Sequence, residues 1–332
     1  MRLLAVELTR LRWRRAVLVL LTAAVLIPLF ILGVTAWDTR PVSAGEVAEA
    51  ELLAEQESQQ DYVQDQLAQC IEDPEQFLGP GTTVDDPQAV CEEMMLPRAE
   101  WFISRQPLDP PQLVLDLGTA VPMILSVLLL LAGATFVGAD WNSGSMSNQL
   151  LFESRRTWVW AAKAGALALV AAVTGLLVQV GFWLAVTALA RSRDLPLGGT
   201  WDDLPGIIGR GTLVVLGAGV VGYSMTMFFR STVATLGILF AVAVAGTFVI
   251  AVLPLGGENE RWMLHTNVAA VVQHGADYYI SQREVTCVDD GGGMECTGQS
   301  RLSLWGGAGY LGLLLGATTA AGLVTFRRRD VP

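Results

Sequence analysis

The chain has 332 residues, 52% hydrophobic and 16% charged, with a formal net charge of -11 and a mean hydropathy of +0.46. A soluble domain carries about 25% charged residues, so this composition excludes an ordinary soluble protein. No nucleic-acid partner is expected.

The missing charge falls in six apolar runs, at 16–37, 115–138, 159–189, 210–229, 232–254 and 304–326. Each is near the ~20 residues that a helix needs to cross a bilayer, and in lipid such runs satisfy their backbone groups as helices. The expected fold is an all-α polytopic membrane protein with six transmembrane helices and helical outer segments. Arg10, Arg12, Arg14 and Arg15 precede the first run, and Arg327, Arg328 and Arg329 follow the last. By the positive-inside rule both termini are cytoplasmic, as an even number of crossings requires. Arg155, Arg156, Lys163 and Arg230 then also lie inside.

Residues 1–15 come first. Leu4, Leu8 and Leu11 share a stripe, with Arg10 and Arg14 beside it. Two readings stand for this segment: an amphipathic helix in the inner interface, or an inward extension of the first crossing. A signal peptide is disfavoured, because Ala16–Trp37 exceeds the 7–15 residues of a signal core.

Residues 38–114 form the first outer segment. From Asp38 to Asp109 there are 17 acids and only Arg40, Arg98 and Arg105 as bases. The stretch GEVAEAELLAEQESQQDYVQDQLAQCIED is helix-favouring, with Leu52, Leu53, Tyr62, Val63 and Leu67 as a partial apolar face and Gly79-Pro80-Gly81 as its breaker. A small helical outer domain is expected. It serves either as a substrate gate or partner surface, or as a solvated cap with no recognition role. Cys70 and Cys91 lie here, and Cys287 and Cys296 in the outer region 255–303. All four are on the side where disulfides persist. Four cysteines allow three pairings; the local one, Cys70–Cys91 and Cys287–Cys296, closes each loop on itself. With His265 and His274 the only histidines and no CxxC, no metal site is expected.

The second run carries Pro122, a kink site, and Asp116 near its outer end. Residues 139–158 then form a cytoplasmic loop. Gly144 turns the chain, and SMSNQLLFES is long enough for two to three helical turns. Met146, Leu150 and Leu151 can cluster on it, with Gln149 and Glu153 a turn apart beside them. Trp158 and Trp160 start an aromatic belt. The outer loop 190–209 separates runs three and four, and Arg230-Ser231-Thr232 makes a tight inner hairpin between runs four and five. In 255–303, RWMLHTNVAAVVQHGADYYI has helical spacing and suits a re-entrant segment. Run six carries Ala308, Gly312, Gly316 and Ala320 four residues apart, a spacing that lets helices approach closely, either within the chain or between chains. Residues 327–332 form a cytoplasmic tail.

Several chemistries are absent. Gly222-Tyr223-Ser224-Met225 matches the short GxSx pattern of rhomboid proteases, but its nucleophile needs a histidine base, and both histidines lie in the outer region. Ser224 reads instead as a hydroxyl bonded to its own helix backbone. No GxxxxGK[ST] or HExxH occurs. The membrane runs hold almost no charge, which argues against a carboxylate-lined relay. The chain is not expected to be an enzyme.

The order of elements, and above all GADWNSGSMSNQLLFESRR followed by WVWAAK, resembles the membrane subunits of ATP-binding-cassette exporters of the type-2 permease class. About 25 residues carry the resemblance, although the topology matches throughout. The resemblance implies a coupling helix at Ser145–Phe152, with Ser145, Met146, Gln149, Leu150, Leu151 and Phe152 docking on an ATPase and Glu153, Arg155 and Arg156 as polar anchors. It further implies a separate ABC-type ATPase subunit and a second permease subunit, identical or not. No cofactor is expected in this chain, since ATP and Mg belong to the ATPase. The function implied is ATP-driven export of an amphiphilic compound, lipid or peptide from a multi-pass position in a membrane. The 20 arginines against Lys163 alone suggest a GC-rich bacterial genome, and the expected location is then a bacterial plasma membrane. The alternative is a non-transporting membrane sensor or scaffold acting through the acidic outer domain.

Overall fold

The computed structural model describes residues 2–78, 86–105, 107–253, 258–280, 286–289 and 294–330. Helix α1, Arg2–Trp13, stops at Arg14, and α2, Arg15–Asp38, starts anew. Five shorter helices follow: α3, Ala44–Ser58; α4, Asp61–Glu72; α5, Pro74–Leu78; α6, Pro87–Met95; and α7, Ala99–Phe102. Then come α8, Pro110–Asn142; α9, Ser145–Phe152; α10, Arg156–Ser192; α11, Leu204–Phe229, entered through a 3-10 turn at Gly199–Asp203; and α12, Thr232–Val252. A second 3-10 turn, Asn259–Trp262, leads to α13, Leu264–Val272, and to the strands β1, Ala276–Tyr279; β2, Thr286–Asp289; β3, Met294–Thr297; and β4, Gln299–Leu302. Helix α14, Leu304–Arg328, ends the fold.

Helices α2, α8, α10, α11, α12 and α14 are long and apolar enough to cross a membrane. Their ends run past the apolar stretches because local chemistry sets them. Asp109 caps α8 by accepting from the Gln112 N–H at 3.4 Å, ahead of Pro110 and Pro111 in the first turn, where proline costs no hydrogen bond. Pro205 likewise lies in the first turn of α11, which therefore starts before residue 210.

The chain divides into two compact units, Gly33–Leu108 on one hand and Met1–Leu32 with Asp109–Pro332 on the other. In the smaller unit, Ser43 and Glu46 form a reciprocal cap on α3, which satisfies two otherwise orphaned donors. The expected long helix is interrupted already at Gln59–Gln60; Gly79-Pro80-Gly81 lies outside the described residues. Ser58 Oγ turns back on the Glu55 carbonyl at 2.7 Å, and Gln60 is extended, so α4 starts in a new direction. Val63 is buried on it, whereas Leu52, Leu53 and Tyr62 are exposed and Ala50 and Ala54 fill the interior instead. The Cys70–Cys91 disulfide joins α4 to α6, with both cysteines fully buried.

The larger unit is built on α8 and α11. A Cβ on Gly222 would overlap the Leu130 carbonyl, and one on Gly133 the Gly219 carbonyl, so glycine is required where the two backbones meet. Around this seam lie Leu125, Leu129, Phe136, Leu167, Trp183, Val215, Tyr223 and Phe326. The Tyr223 hydroxyl donates to the Trp160 carbonyl at 2.9 Å. Trp160 is thus a core residue packed edge-on to Tyr223, and only Trp158 of the expected aromatic belt is exposed.

Three further expectations change. Region 255–303 is only partly helical: Ala276–Tyr279 is a strand, because β1 pairs antiparallel with β4, while β2 pairs with β3. That second pairing sets the Cα of Cys287 opposite the Cα of Cys296; their side chains lie outside the described ones. On α14, Gly312, Gly316 and Ala320 are exposed, and a Cβ on either glycine would meet nothing within 4 Å, so the stripe is not a packing face within the chain. The close approaches are made by Gly307, against the Asn267 carbonyl, and Gly322, against the Ser224 carbonyl. Ser224 Oγ is buried and has no hydrogen-bond partner among the described residues, contrary to a helix-bonded hydroxyl.

Candidate functional site

Gly144, at φ +68, takes a left-handed conformation that glycine adopts without cost. It ends the long α8 and redirects the chain into the eight residues of α9. Ser145 Oγ donates to Asp140 Oδ1 at 3.0 Å, and the Met146 side chain is fully buried. One turn on, Gln149 Nε2 donates to Glu7 Oε1 at 2.7 Å, while Gln149 Oε1 accepts from Arg10 Nη1 at 3.2 Å. Leu150 is partly buried against the core. One side of α9 is therefore fastened to α1 and α8.

Beneath it lies a cluster of charge. Lys163 Nζ donates to Glu7 Oε2 at 2.8 Å and to Asp140 Oδ2 at 2.6 Å, and all three side chains have no exposed surface. Arg14, about one-third exposed, pairs with Asp140 Oδ1. Arg10 Nη1 also lies 3.5 Å from Glu7 Oε1, so two carboxylates meet one ammonium and two guanidiniums, and each buried carboxylate has cationic partners. Buried charges are tolerated when matched in this way. Lys163 also lies 5.4 Å from the Phe136 ring centroid. The cluster ties α1, α8 and α10 together directly under α9.

The other side of α9 is open. Leu151 is 82% and Phe152 93% exposed. The expected grouping of Met146, Leu150 and Leu151 on one docking face is therefore corrected: Met146 and Gln149 face the bundle, Leu150 is half-turned toward it, and Leu151 with Phe152 face outward. Among the expected polar anchors, Glu153 Oε1 accepts from the Arg155 N–H at 3.2 Å, and Arg155 is exposed. Arg156 is turned instead to α14, where its Nη1 donates to the carbonyls of Phe326, Arg327 and Arg329 at 3.2, 3.3 and 2.7 Å.

The sequence contains traces of the charge cluster that periodicity alone passes over. Glu7 is the one acid in α1 and sits between Leu4, Leu8 and Leu11 at helical spacing. Lys163 is the single lysine and falls inside an apolar run, and Asp140 ends another.

At the opposite end of this unit, Asp116 lines a cavity of about 530 Å³ together with His265, Gln273, Asp277 and Arg301. Arg210, level with it on α11, donates from Nε to the Val272 carbonyl at 2.9 Å. Ser224 is fourteen residues further along α11, about 21 Å at 1.5 Å per residue, which sets the GxSx serine far from His265. Among the described residues no group of His, Cys, Asp and Glu side chains is arranged to hold a metal ion.

No family model matches the sequence, and neither a curated protein nor a solved structure is significantly similar to it.

Proposed function

We propose that the chain is the membrane-spanning subunit of an ATP-binding-cassette exporter, driven by a separate ATPase that docks on α9. The observation that carries this reading is the two-sidedness of α9. Met146 and Gln149 hold it to the bundle through buried contacts, while Leu151 and Phe152 stand clear of the chain. A helix built to transmit displacement needs a stiff inner attachment and a free outer face. The link from the partly buried Gln149 through the fully buried Glu7 to Lys163 connects α9 to α1 and α10, two of the elements a conformational change would have to move.

A second membrane subunit belongs to the proposal. Helix α12 has only 6% of its most apolar window buried within the chain, and the Gly312–Gly316 stripe of α14 is open; both are available to another copy. The bundle presents Ser, Thr and Tyr among apolar side chains, which suits an amphiphilic cargo, lipid or peptide. The chain would lie in a bacterial plasma membrane with both termini cytoplasmic.

The test is co-purification of the tagged, full-length protein from its native membrane in mild detergent, followed by vanadate-sensitive ATP hydrolysis. An ATPase subunit should follow the intact chain and be lost from the Leu151→Asp/Phe152→Asp variant. Absence of any ATPase from the intact chain would sink the reading. The scaffold or sensor alternative draws on the separate compactness of residues 33–108. Removing residues 40–110 should abolish function of a scaffold but leave ATPase coupling of a transporter in place.

A further inference from the structure

At the end of the bundle that carries α9, α8 and α11 finish, α10 begins and α14 finishes, and arginines from three of these junctions come together. Arg230 lies between α11 and α12. Its Cζ is 4.8 Å from the Trp141 ring centroid, and its Nη1 donates to the Asp330 carbonyl at 2.7 Å. Arg156 reaches the last carbonyls of α14 from its own side. Arg329 lies 5.8 Å from the Phe228 ring centroid.

Helix capping accounts for Arg156 and for Nη1 of Arg230, because helix carboxyl ends attract cations. It does not account for the rest of Arg230. Nε and Nη2 of Arg230 are buried and have no hydrogen-bond partner among the described residues, and the same holds for the indole Nε1 of Trp141. Nε–H and Nη2–H form one edge of the guanidinium, the fork that pairs with two oxygens of a single phosphate or carboxylate. A buried donor left without a partner costs free energy, and here two lie side by side on one cation.

The backbone points the same way. Arg230 sits at φ +58 as the C-cap of α11, a position that glycine fills with less strain. An arginine there bears that strain and sets its side chain among the helix ends. The charge balance is also uneven. Burial, and after it the neighbouring Arg329 and Arg156 charges, hold the Arg230 guanidinium below its usual value, with Asp330 pulling the other way. The guanidinium groups crowd one another, and the one carboxylate acting on Arg230 belongs to an exposed residue near the chain end.

We propose that Arg230, flanked by Arg156 and Arg329 and seated on Trp141, is a binding site for a phosphate group. A cluster of arginines at the ends of membrane-crossing helices, set against the rings of Trp141 and Phe228, matches the headgroup of an anionic phospholipid; inorganic phosphate or a soluble phosphate ester offers the same two-oxygen edge. The site would hold α8, α11 and α14 together at the end that carries α9. It does not depend on whether α9 docks an ATPase.

The experiment uses the full-length chain in a phosphate-free, non-ionic detergent, with bound lipid read by native mass spectrometry and stability by thermal unfolding. One arm adds phosphatidylglycerol against a phosphate-free diglucosyl diacylglycerol. The other adds inorganic phosphate against chloride at equal ionic strength. Phosphatidylglycerol should bind and raise the unfolding temperature of the parent chain. Binding should fall at least fivefold in Arg230→Gln and in Arg230→Lys, which keeps the charge but loses the fork, and should be unchanged in the exposed Arg12→Gln control. If Arg230→Gln does not fold, Arg230→Lys decides alone. An Arg230-dependent response to inorganic phosphate assigns the site to a soluble anion instead of a lipid. No response in either arm, or equal responses in parent and Arg230 variants, overturns the proposal.

Discussion

Lys163 has no contact with solvent, and its charge is met within the protein by Glu7 and Asp140. Removing one partner strands the others, which costs about 3–5 kcal/mol for a buried pair. Lys163→Met should therefore lower stability by about that amount, seen as a clear fall in the detergent unfolding temperature. Glu7→Met should do the same. The double variant Glu7→Met/Lys163→Met leaves Asp140 still facing Arg14, while Arg10, partly exposed, keeps its bond to Gln149 Oε1. Its loss should be smaller than the sum of the single losses, as expected for residues in one network. Strictly additive losses would show that Glu7 and Lys163 are stabilised separately. Reading such a cluster from sequence is hard for a physical reason. Glu7, Asp140 and Lys163 come from three distant stretches, and the match between them exists only once α1, α8 and α10 are packed. Each was visible alone as a charge out of place; their pairing with one another was not.

The bounds of α9 were legible as an element, but its orientation was not. Gly144 and the return to an apolar run at Trp158 frame a short helix unambiguously. Eight residues give barely two turns, too few for hydrophobic spacing to say which side faces the bundle, and Met146, Leu150 and Leu151 look equivalent in sequence. The hydrogen bond from Gln149 to Glu7 makes the choice. Because Leu151 and Phe152 are exposed, replacing both with aspartate should leave the unfolding temperature of the isolated chain unchanged while removing the ATPase association that the proposed function requires. A drop in stability comparable to that of Met146→Asp would place Leu151 and Phe152 inside the fold instead. The glycines of α14 make a parallel case. A repeat of small residues at four-residue spacing drew attention to Gly312 and Gly316, yet the chain packs tightly at Gly307 and Gly322. A Cβ on Gly322 would approach the Ser224 carbonyl to 2.6 Å, whereas one on Gly312 meets nothing. Gly322→Leu should thus abolish a folded, monodisperse species on size exclusion. Gly312→Leu should leave the single chain folded and alter only its self-association.

Across the whole molecule, the six apolar helices were plain from composition, because lipid leaves an unpaired backbone no alternative to the helix. The β-pairs between α13 and α14 were not, since four-residue strands in a polar region carry little periodic signal, and β1 depends on a strand well over a dozen residues further along the chain, as Ala276 does on Leu302. The division into two units has a consequence that can be measured. Among the described residues of 33–108 few large side chains are buried; Val63, Leu108, Ala50, Ala54 and the two half-cystines make up the buried apolar interior. A unit with so little apolar filling leans on its covalent tie. The Cys70–Cys91 bond spans 21 positions, and a loop of that size stabilises by about 2–4 kcal/mol. Under a reducing agent, hydrogen exchange should therefore quicken through α3, α4 and α6, while α8 and α11, held by the glycine seam and the Leu125–Tyr223 core, keep their protection. The amides of β2 and β3, around Cys287 and Cys296, are followed separately because that pair also responds to reductant if it is joined. Uniform loss of protection across α8 and α11 would mean that the two units unfold as one, and that the disulfide guards the membrane bundle as well as the acidic segment.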